Sequence, residues 1–443
     1  MIGEYHDLLL KDQNLSAATL KKMRDDMRAN RLLYGDRPIG VALRPHILET
    51  KQFAALIQSA EAIASALEKV AAAVLQSPDL MTQLGLTDLE RKLALVDPGF
   101  ANATVNARLD GFVHGEQIRF VESNAENPSS LSDQEGLNRL LRGIPATAHL
   151  AKRYRFREFS AVEKLRETLL DVYREWGGKG VPNIAILDWN NLPTANEFVL
   201  LRDDFAQHGI HTVICSPDEL EYENNRLRCG NFEIDLVYKR ILVHEFLSRY
   251  GETHQLTRAY VNRDVCLVNP FRCKILHKKA SFEMLTDKRN EKWFNRKERD
   301  TIHRSVPWTR RFFDRRTTRD DQEIDLLKFV SENRASLVLK PNDDYGGRGV
   351  FIGPRLSETE WKNAIATALT GDYVVQDAID LQPEEFPVFN DIDWKLQSMF
   401  VDTNPFLFRG RVCGAMVRLS SSPIVNVTSG GGETGFFVIE DEA

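Results

Sequence analysis

Four residues early in the chain are best suited to chemistry by type and spacing: Arg108, Asp110, Glu122 and Asn124, within R-L-D-G-F-V-H-G-E-Q-I-R-F-V-E-S-N-A-E-N-P, Arg108 to Pro128. Two carboxylates and an amide oxygen form an oxygen-only donor set for a hard cation such as Mg²⁺. A guanidinium beside them can grip a phosphate through paired N–H bonds. Phe112-Val113 on one side and Ile118, Phe120 and Val121 on the other flank a polar turn, His114-Gly115-Glu116-Gln117. This pattern predicts a two-stranded hairpin. Glu122 and Asn124 are two apart and share a strand face, as do Arg108 and Asp110. The hairpin would set Asp110 beside Glu122 and Asn124. The same pattern also fits a plain surface hairpin with scattered acids.

A second stretch is L-V-L-K-P-N-D-D-Y-G-G-R-G-V-F-I, Leu337 to Ile352. A β-rich run ends at Lys340-Pro341, and a loop with Gly346, Gly347 and Gly349 leads into another strand. Glycines allow positive φ and let backbone N–H groups approach phosphate oxygens closely, while Lys340 offers a point charge. No G-K-[ST] leads into a helix, so this is not a Walker A loop. Upstream, N-P-F-R-C-K-I-L-H-K-K-A (Asn269 to Ala280) brings Lys274 just before a predicted helix over Lys278–Leu285. Downstream, Val374-Val375-Gln376-Asp377-Ala378-Ile379 is an apolar strand that ends in a polar residue and exposed backbone. Such an edge can pair with the Watson–Crick side of adenine. Each feature alone is common.

Taken in order, a lysine, a strand-Lys-Pro-glycine loop and V-V-Q-D resemble the nucleotide-binding elements of ATP-grasp enzymes. In most of that superfamily the magnesium ligands follow these elements; here the best ligand set precedes them. That arrangement resembles the circularly permuted ATP-grasp proteins, including the glutathionylspermidine synthetase-like group. Their R-x-D…E-x-N-A-[DE] pattern is matched by Arg108, Asp110, Glu122, Asn124, Ala125 and Glu126. The likeness runs from about residue 95 to the C-terminus. It implies that Asp110, Glu122 and Asn124 hold Mg²⁺ and that Arg108 stabilises the transferring γ-phosphoryl group. Lys274 and Lys340 would bind ATP phosphates, and Gly346, Gly347 and Gly349 would form a lid. Gln376, Asp377, Ala378 and Ile379 would hold adenine. Asn127, just past the metal pattern, is expected at the substrate.

The tail from Asp402 to Gly432 also looks like the end of unpermuted ATP-grasp ligases, which would make Asp402 and Asn426 metal ligands. Against this, Ile424 stands where a glutamate is expected. Arg418 and Asn426 are therefore expected to line the ATP or acceptor site. Arg240, which ends a strand at D-L-V-Y-K-R, is a candidate contact for an anionic substrate. The implied activity is an ADP-forming carboxylate–amine ligase, dependent on ATP and Mg²⁺, that makes an amide through an acyl phosphate. Small molecules or peptides would supply the acid and amine. Two alternatives stay open: kinase-like transfer to a small molecule, and a non-catalytic ATP-binding regulator.

These residues need elements to position them. At 443 residues the chain is long enough for several domains. A formal net charge of -6 gives no global reason to expect nucleic acid or a membrane as partner. No apolar run approaches the roughly 20 residues of a membrane span, and the N-terminus lacks a signal-peptide pattern. The five cysteines form no C-x-x-C pair and read as reduced thiols of a cytoplasmic protein. The first hundred residues contain no cysteine, so no Cys/His amidase domain is expected there.

Apolar residues at helical spacing predict a long helix over 51–78 and others over Asp88–Leu95 and Val162–Trp176. From Val181, strands alternate with helices, which predicts a Rossmann-like α/β unit without a G-x-G-x-x-G turn. The expected fold is α/β (α+β), a circularly permuted ATP-grasp fold with a Rossmann-like middle domain. Expected boundaries are an N-terminal helical region 1–95, a hairpin-bearing portion 96–180, the middle domain 181–265 and an ATP-binding portion 266–443. The segment Lys288–Arg319 carries a dozen Lys and Arg. It reads either as a mobile basic flap or as a solvated helical surface.

Overall fold

Period-two alternation and the polar turn produce the expected hairpin. In the computed structural model, which describes residues 1–390, 392–425, 427 and 431–440, Asn106–His114 pairs antiparallel with Gln117–Asn124. Asp110 lies opposite Glu122 and Arg108 opposite Asn124, with a register shift between Asp110 and Gly111. Gly115 closes the turn at φ +59°, a conformation that favours glycine.

The hairpin is not a surface ribbon. Its first strand joins a larger antiparallel sheet in the order Gly432–Thr434, Arg411–Ser420, Trp394–Phe408, Asn106–His114, Gln117–Asn124, and Glu384–Phe389 pairs with the start of the long strand. Trp394–Phe408 is one continuous strand, although the sequence predicts two, Trp394–Val401 and Phe406–Phe408. The polar run Asp402-Thr403-Asn404 reads as a break, yet its side chains are buried and bonded: Asn404 donates to Asp402 (2.7 Å) and accepts from the Gly111 N–H (2.9 Å).

One face of this sheet buries the helix Thr50–Leu75. Phe53, Leu56, Ala60, Ile63, Leu67 and Val70 follow the three-and-four spacing of one helix stripe and share a core with Leu109, Phe120, Leu407 and Val417. Removing one such side chain, as in Leu56→Ala, costs about 2–5 kcal/mol. Glu49 and Gln52 form a reciprocal cap at the helix start. Alternation with Leu109 puts Arg108 and Asp110 on the face away from that helix, and the register shift beside Gly111 brings Glu122 and Asn124 to the same face although Phe120 packs on the helix side.

Two further sheets frame the remaining site residues. Thr212–Cys215, Ile184–Leu187, Leu236–Lys239 and Cys266–Val268 form a parallel four-stranded sheet, with helix Ala195–Gln207 between the first two strands in sequence. The other sheet is antiparallel, ordered Thr309–Phe312, Tyr373–Asp377, Leu337–Pro341, Phe351–Ile352.

The basic segment is folded in rather than a flap. It contains helix Arg296–Ser305, tied to the long helix by Glu298 bonds to Ser65 (2.8 Å) and Lys69 (2.6 Å), and then the edge strand Thr309–Phe312. Acids from elsewhere meet its arginines: Asp377 takes Arg319 (2.6 Å) and Glu283 takes Arg315 (3.0 Å). Local differences are small. Asp12 caps helix Gln13–Ala29, and the helix expected over Lys278–Leu285 is two short ones, Lys274–His277 and Ser281–Thr286. His46–Glu49 pairs in parallel with Phe436–Glu440. Among the described residues, no helix is long and apolar enough to cross a membrane.

Candidate functional site

A cleft of about 1060 Å³ opens where the three sheets approach one another. The hairpin contributes Arg108, Asp110, Glu122 and Asn124 to its lining, and the small antiparallel sheet contributes Lys340 and Gln376. Gly346 and Gly347 of the loop lie against it, followed by Asp377, Ala378 and Ile379. Asn127, Arg240 and Arg418 line it as well. Residues more than 250 positions apart thus share one space.

Asp110 is the hub of the charged wall. It accepts from Arg108 Nε (2.8 Å), Arg418 Nη2 (2.7 Å) and Asn124 Nδ2 (2.8 Å). Burial alone would raise its pKa, but the Arg108 and Arg418 guanidinia hold it well below the ordinary carboxylate range. Arg418 also grips Asp402, so one arginine links two acids. Glu122 is less committed. Lys279 lies 3.4 Å from its carboxylate, and against the effect of burial Lys279 and Lys340 lower its pKa. Lys340 donates to the Gln376 side-chain oxygen (2.8 Å). Burial is the main reason its ammonium is pushed down to about 8, with Glu122 opposing and Lys279 adding. Gln376 is fixed in turn by donating to the Val121 carbonyl (3.2 Å) and Thr309 Oγ1 (2.9 Å).

The loop Asn342–Val350 joins the antiparallel strands Leu337–Pro341 and Phe351–Ile352, and Gly346, Gly347 and Gly349 have φ of 75°, 73° and 65°. All three need the left-handed region, which explains the glycines. Tyr345 ties the loop tip to Glu245 across the cleft (3.1 Å).

Two expected site residues lie off the cleft wall. Lys274 is fully buried outside the cleft lining, with Glu126 at 2.9 Å, Asp343 at 2.5 Å and Glu90 at 4.0 Å. The break between the two short helices turns it inward and presents Lys279 to the cleft instead. Lys274 and Lys278 both hold Asp343, and Lys279 donates to the Asp344 carbonyl (2.8 Å). Three lysines therefore anchor the root of the glycine loop. Gly349 is in the loop but not on the cleft wall. Asn426 lies outside the described residues.

Other groups at the site were not singled out from the sequence. Lys279 follows Lys274 within one short basic run, and only the helix break distinguishes them. Glu245 reads as an ordinary helical residue, yet it receives both Tyr345 and the Trp189 indole N–H (3.0 Å). Asp133 and Glu433 come from opposite ends of the chain and are buried side chains on the cleft wall.

The donor set fits a hard cation. Glu122 has the more open carboxylate, and Asn124 spends its NH₂ on Asp110, which leaves its amide oxygen as an acceptor. Asp110 would share its oxygens with two arginines. Asp402, on the same wall, is likewise bonded to Arg418 and Asn404. For a nucleotide, Lys340, Lys279 and the glycine loop supply positive charge and backbone at one end, with the Gln376–Ile379 edge beside them.

No protein-family model and no curated protein sequence matches this chain. Among solved structures, a glutathione synthetase-like effector from Globodera pallida in its apo form is 15% identical with a TM-score of 0.62, covering 96% of this chain and 97% of that one. A protein from Methylobacillus flagellatus KT, described as a candidate gamma-glutamylcysteine synthetase, is 12% identical over 86% of each chain, and its TM-score of 0.41 carries no argument. The mixed α/β fold of this chain is thus similar, over nearly its whole length, to that of a glutathione synthetase-like protein.

Proposed function

We propose that this chain is a carboxylate–amine ligase of circularly permuted ATP-grasp type, using ATP and Mg²⁺. The observation that carries the reading is the convergence of Asp110, Glu122 and Asn124 with Lys340, the glycine loop and Gln376 on one cleft. The fold likeness to a glutathione synthetase-like protein supports it. In this reading the parallel sheet is the core of a Rossmann-like substrate domain. Glu122, Asn124 and Asp110 hold Mg²⁺, Lys340 and Lys279 neutralise phosphate charge, and Gly346 and Gly347 cover the phosphates. When bound, MgATP supplies the phosphoryl group that turns a carboxylate into an acyl phosphate, from which an amine displaces phosphate.

The chain's own residues do positioning and charge work, which is what phosphoryl transfer asks of a protein. Arg108 is held by Asp110, with Nη1 near the Ser129 carbonyl (3.4 Å), so its guanidinium is fixed at the wall where negative charge would develop. Gln376 orients Lys340, and Tyr345 with Glu245 keeps the loop over the cleft and limits water. The substrates are small acids, amines or peptides, and the five free cysteines suit a cytoplasmic setting.

An ADP-release screen over amino acids, short peptides and polyamines tests this reading, with products read by mass spectrometry. Hydroxylamine should trap an acyl hydroxamate. ADP release with a phosphorylated product and no hydroxamate would point to a kinase instead. Tight ATP binding without turnover on any substrate would point to a regulator.

A further inference from the structure

We infer that the end of the cleft away from the glycine loop holds an amino-acid head group, with its α-ammonium between Asp133 and Glu433 and its carboxylate on Arg240. This deepens the ligase reading and rests on it for the identity of the reaction.

Asp133 sits in the first turn of helix Leu131–Gly143, and Glu433 on the short strand Gly432–Thr434. Both line the cleft, and they are 5% and 0% exposed. Ser130 donates to Glu433 Oε1 (2.7 Å). Among the described residues, Glu433 Oε2 and Asp133 Oδ1 have no hydrogen-bond partner. Arg240, also on the cleft wall, gives its two terminal nitrogens to the Pro128 carbonyl, the Tyr238 hydroxyl (3.1 Å) and Glu197 (3.3 Å), while its Nε has no partner. One wall thus carries two unfilled acceptors and one unfilled donor. Buried polar atoms are rarely left in that state.

The groups facing Asp133 are Glu197, Glu433 and Arg240, and those facing Glu433 include Ser130, Arg108, Arg418 and Glu197. Burial, reinforced by Glu197, pushes Asp133 well above the ordinary carboxylate range; burial likewise pushes Glu433 up to about 8. The empty site therefore disfavours the ionised form of both acids. An alkylammonium would supply N–H donors to both acids and favour their ionised forms, and an adjoining carboxylate would take the Arg240 Nε–H. A phosphate would meet two acids, and a simple amine would leave Arg240 unfilled. An ammonium held this way stays protonated, so it anchors its substrate rather than attacking.

Calorimetry on the full chain tests this with L-alanine, with ethylamine (which lacks the carboxylate), with propionate (which lacks the amine), and separately with MgATP. L-Alanine should bind at least about tenfold more tightly than either fragment, and Asp133→Asn and Glu433→Gln should each weaken it about tenfold or more. Each substitution removes a buried acid, so neither should lower the unfolding midpoint. In the unmodified protein, L-alanine binding at pH 7 should release protons, seen as a heat difference between phosphate and Tris buffers.

The inference is overturned if L-alanine fails to bind, if both variants bind it normally, or if ethylamine binds as tightly as L-alanine, which would indicate a plain amine site. The two readings separate cleanly. MgATP binding with turnover, but L-alanine affinity unchanged in the variants, sinks this subsite alone. L-Alanine binding as expected with no MgATP binding sustains the subsite and sinks the ligase.

Discussion

Lys274→Met asks whether this lysine touches nucleotide phosphates or anchors the loop from behind. The ammonium is fully buried, 2.9 Å from Glu126 and 2.5 Å from Asp343. Lys278 remains after the substitution, 3.1 Å from Asp343 and 3.3 Å from Glu90, so those two acids keep a counter-charge. Glu126 loses its main counter-charge and keeps the weaker influence of Lys239 and the N–H of Val243. One poorly compensated buried carboxylate costs about 3 kcal/mol, the low end of the range for breaking a buried ion pair. The double variant Lys274→Met with Glu126→Gln should recover most of this loss.

The pH dependence has a definite sign. Despite burial, Lys274 and its neighbours hold Glu126 at about 2, below its free value of 4.5. In the unmodified protein its contribution is therefore complete above about pH 4.5 and is lost as pH falls toward 2. In the variant, burial without its main counter-charge raises Glu126, so its penalty is present at pH 7 and fades on acidification. The gap between the two proteins should narrow from pH 7 to pH 4 in urea unfolding followed by tryptophan fluorescence. A variant within about 1 kcal/mol of the unmodified protein at pH 7 that loses its affinity for MgATP would refute this reasoning and return Lys274 to the phosphates.

Three other outcomes are expected. Asn124→Ala and Glu122→Gln should each lower ATP turnover by about 100-fold or more with unchanged unfolding midpoints, since both are partly exposed cleft residues; normal turnover in either would remove the metal assignment. Lys340 is charged below pH 8 and neutral above it, so KM for MgATP should climb between pH 7 and pH 9, and Lys340→Arg should flatten that profile. The same depression makes the unfolded chain bind more protons between about pH 8 and 10.5, so this group adds stability as pH rises there. Gly347→Ala places a Cβ at φ +73° and 2.7 Å from Ile424 Cγ2; it should raise KM for MgATP several-fold, read by initial rates, at a stability cost of about 1 kcal/mol.

Local pattern was enough where the physics is local. Alternation plus a polar turn gives the hairpin, and apolar spacing gives the long helix nearly end to end; Asp110 meets Glu122 rather than Val121 only through the register shift beside Gly111, which the pattern does not show. The glycines of the loop are legible because no other residue suits three left-handed positions in four. Lys274 is not legible, since its direction depends on acids at positions 90, 126 and 343, which meet only in the folded state. Asp133, Glu197 and Glu433 are ordinary surface-type residues in sequence; burial by distant elements makes them unusual. The single strand Trp394–Phe408 is hidden for the same reason: Asp402 and Asn404 look like turn residues until Arg418 and the Gly111 N–H are beside them.

The pairing of His46–Glu49 with Phe436–Glu440 bears on how the protein is made. The strand carrying Arg108 and Asp110 takes its inner neighbour from Phe406–Phe408, some 300 positions later in synthesis. Until Phe408 has left the ribosome the nascent hairpin offers an unpaired β edge, and until Val438 has left it part of the long helix's apolar stripe is unburied. Such late-closing pairings are slow and prone to association. Productive folding should therefore depend on chaperone capacity, and slower translation alone should do little to relieve it.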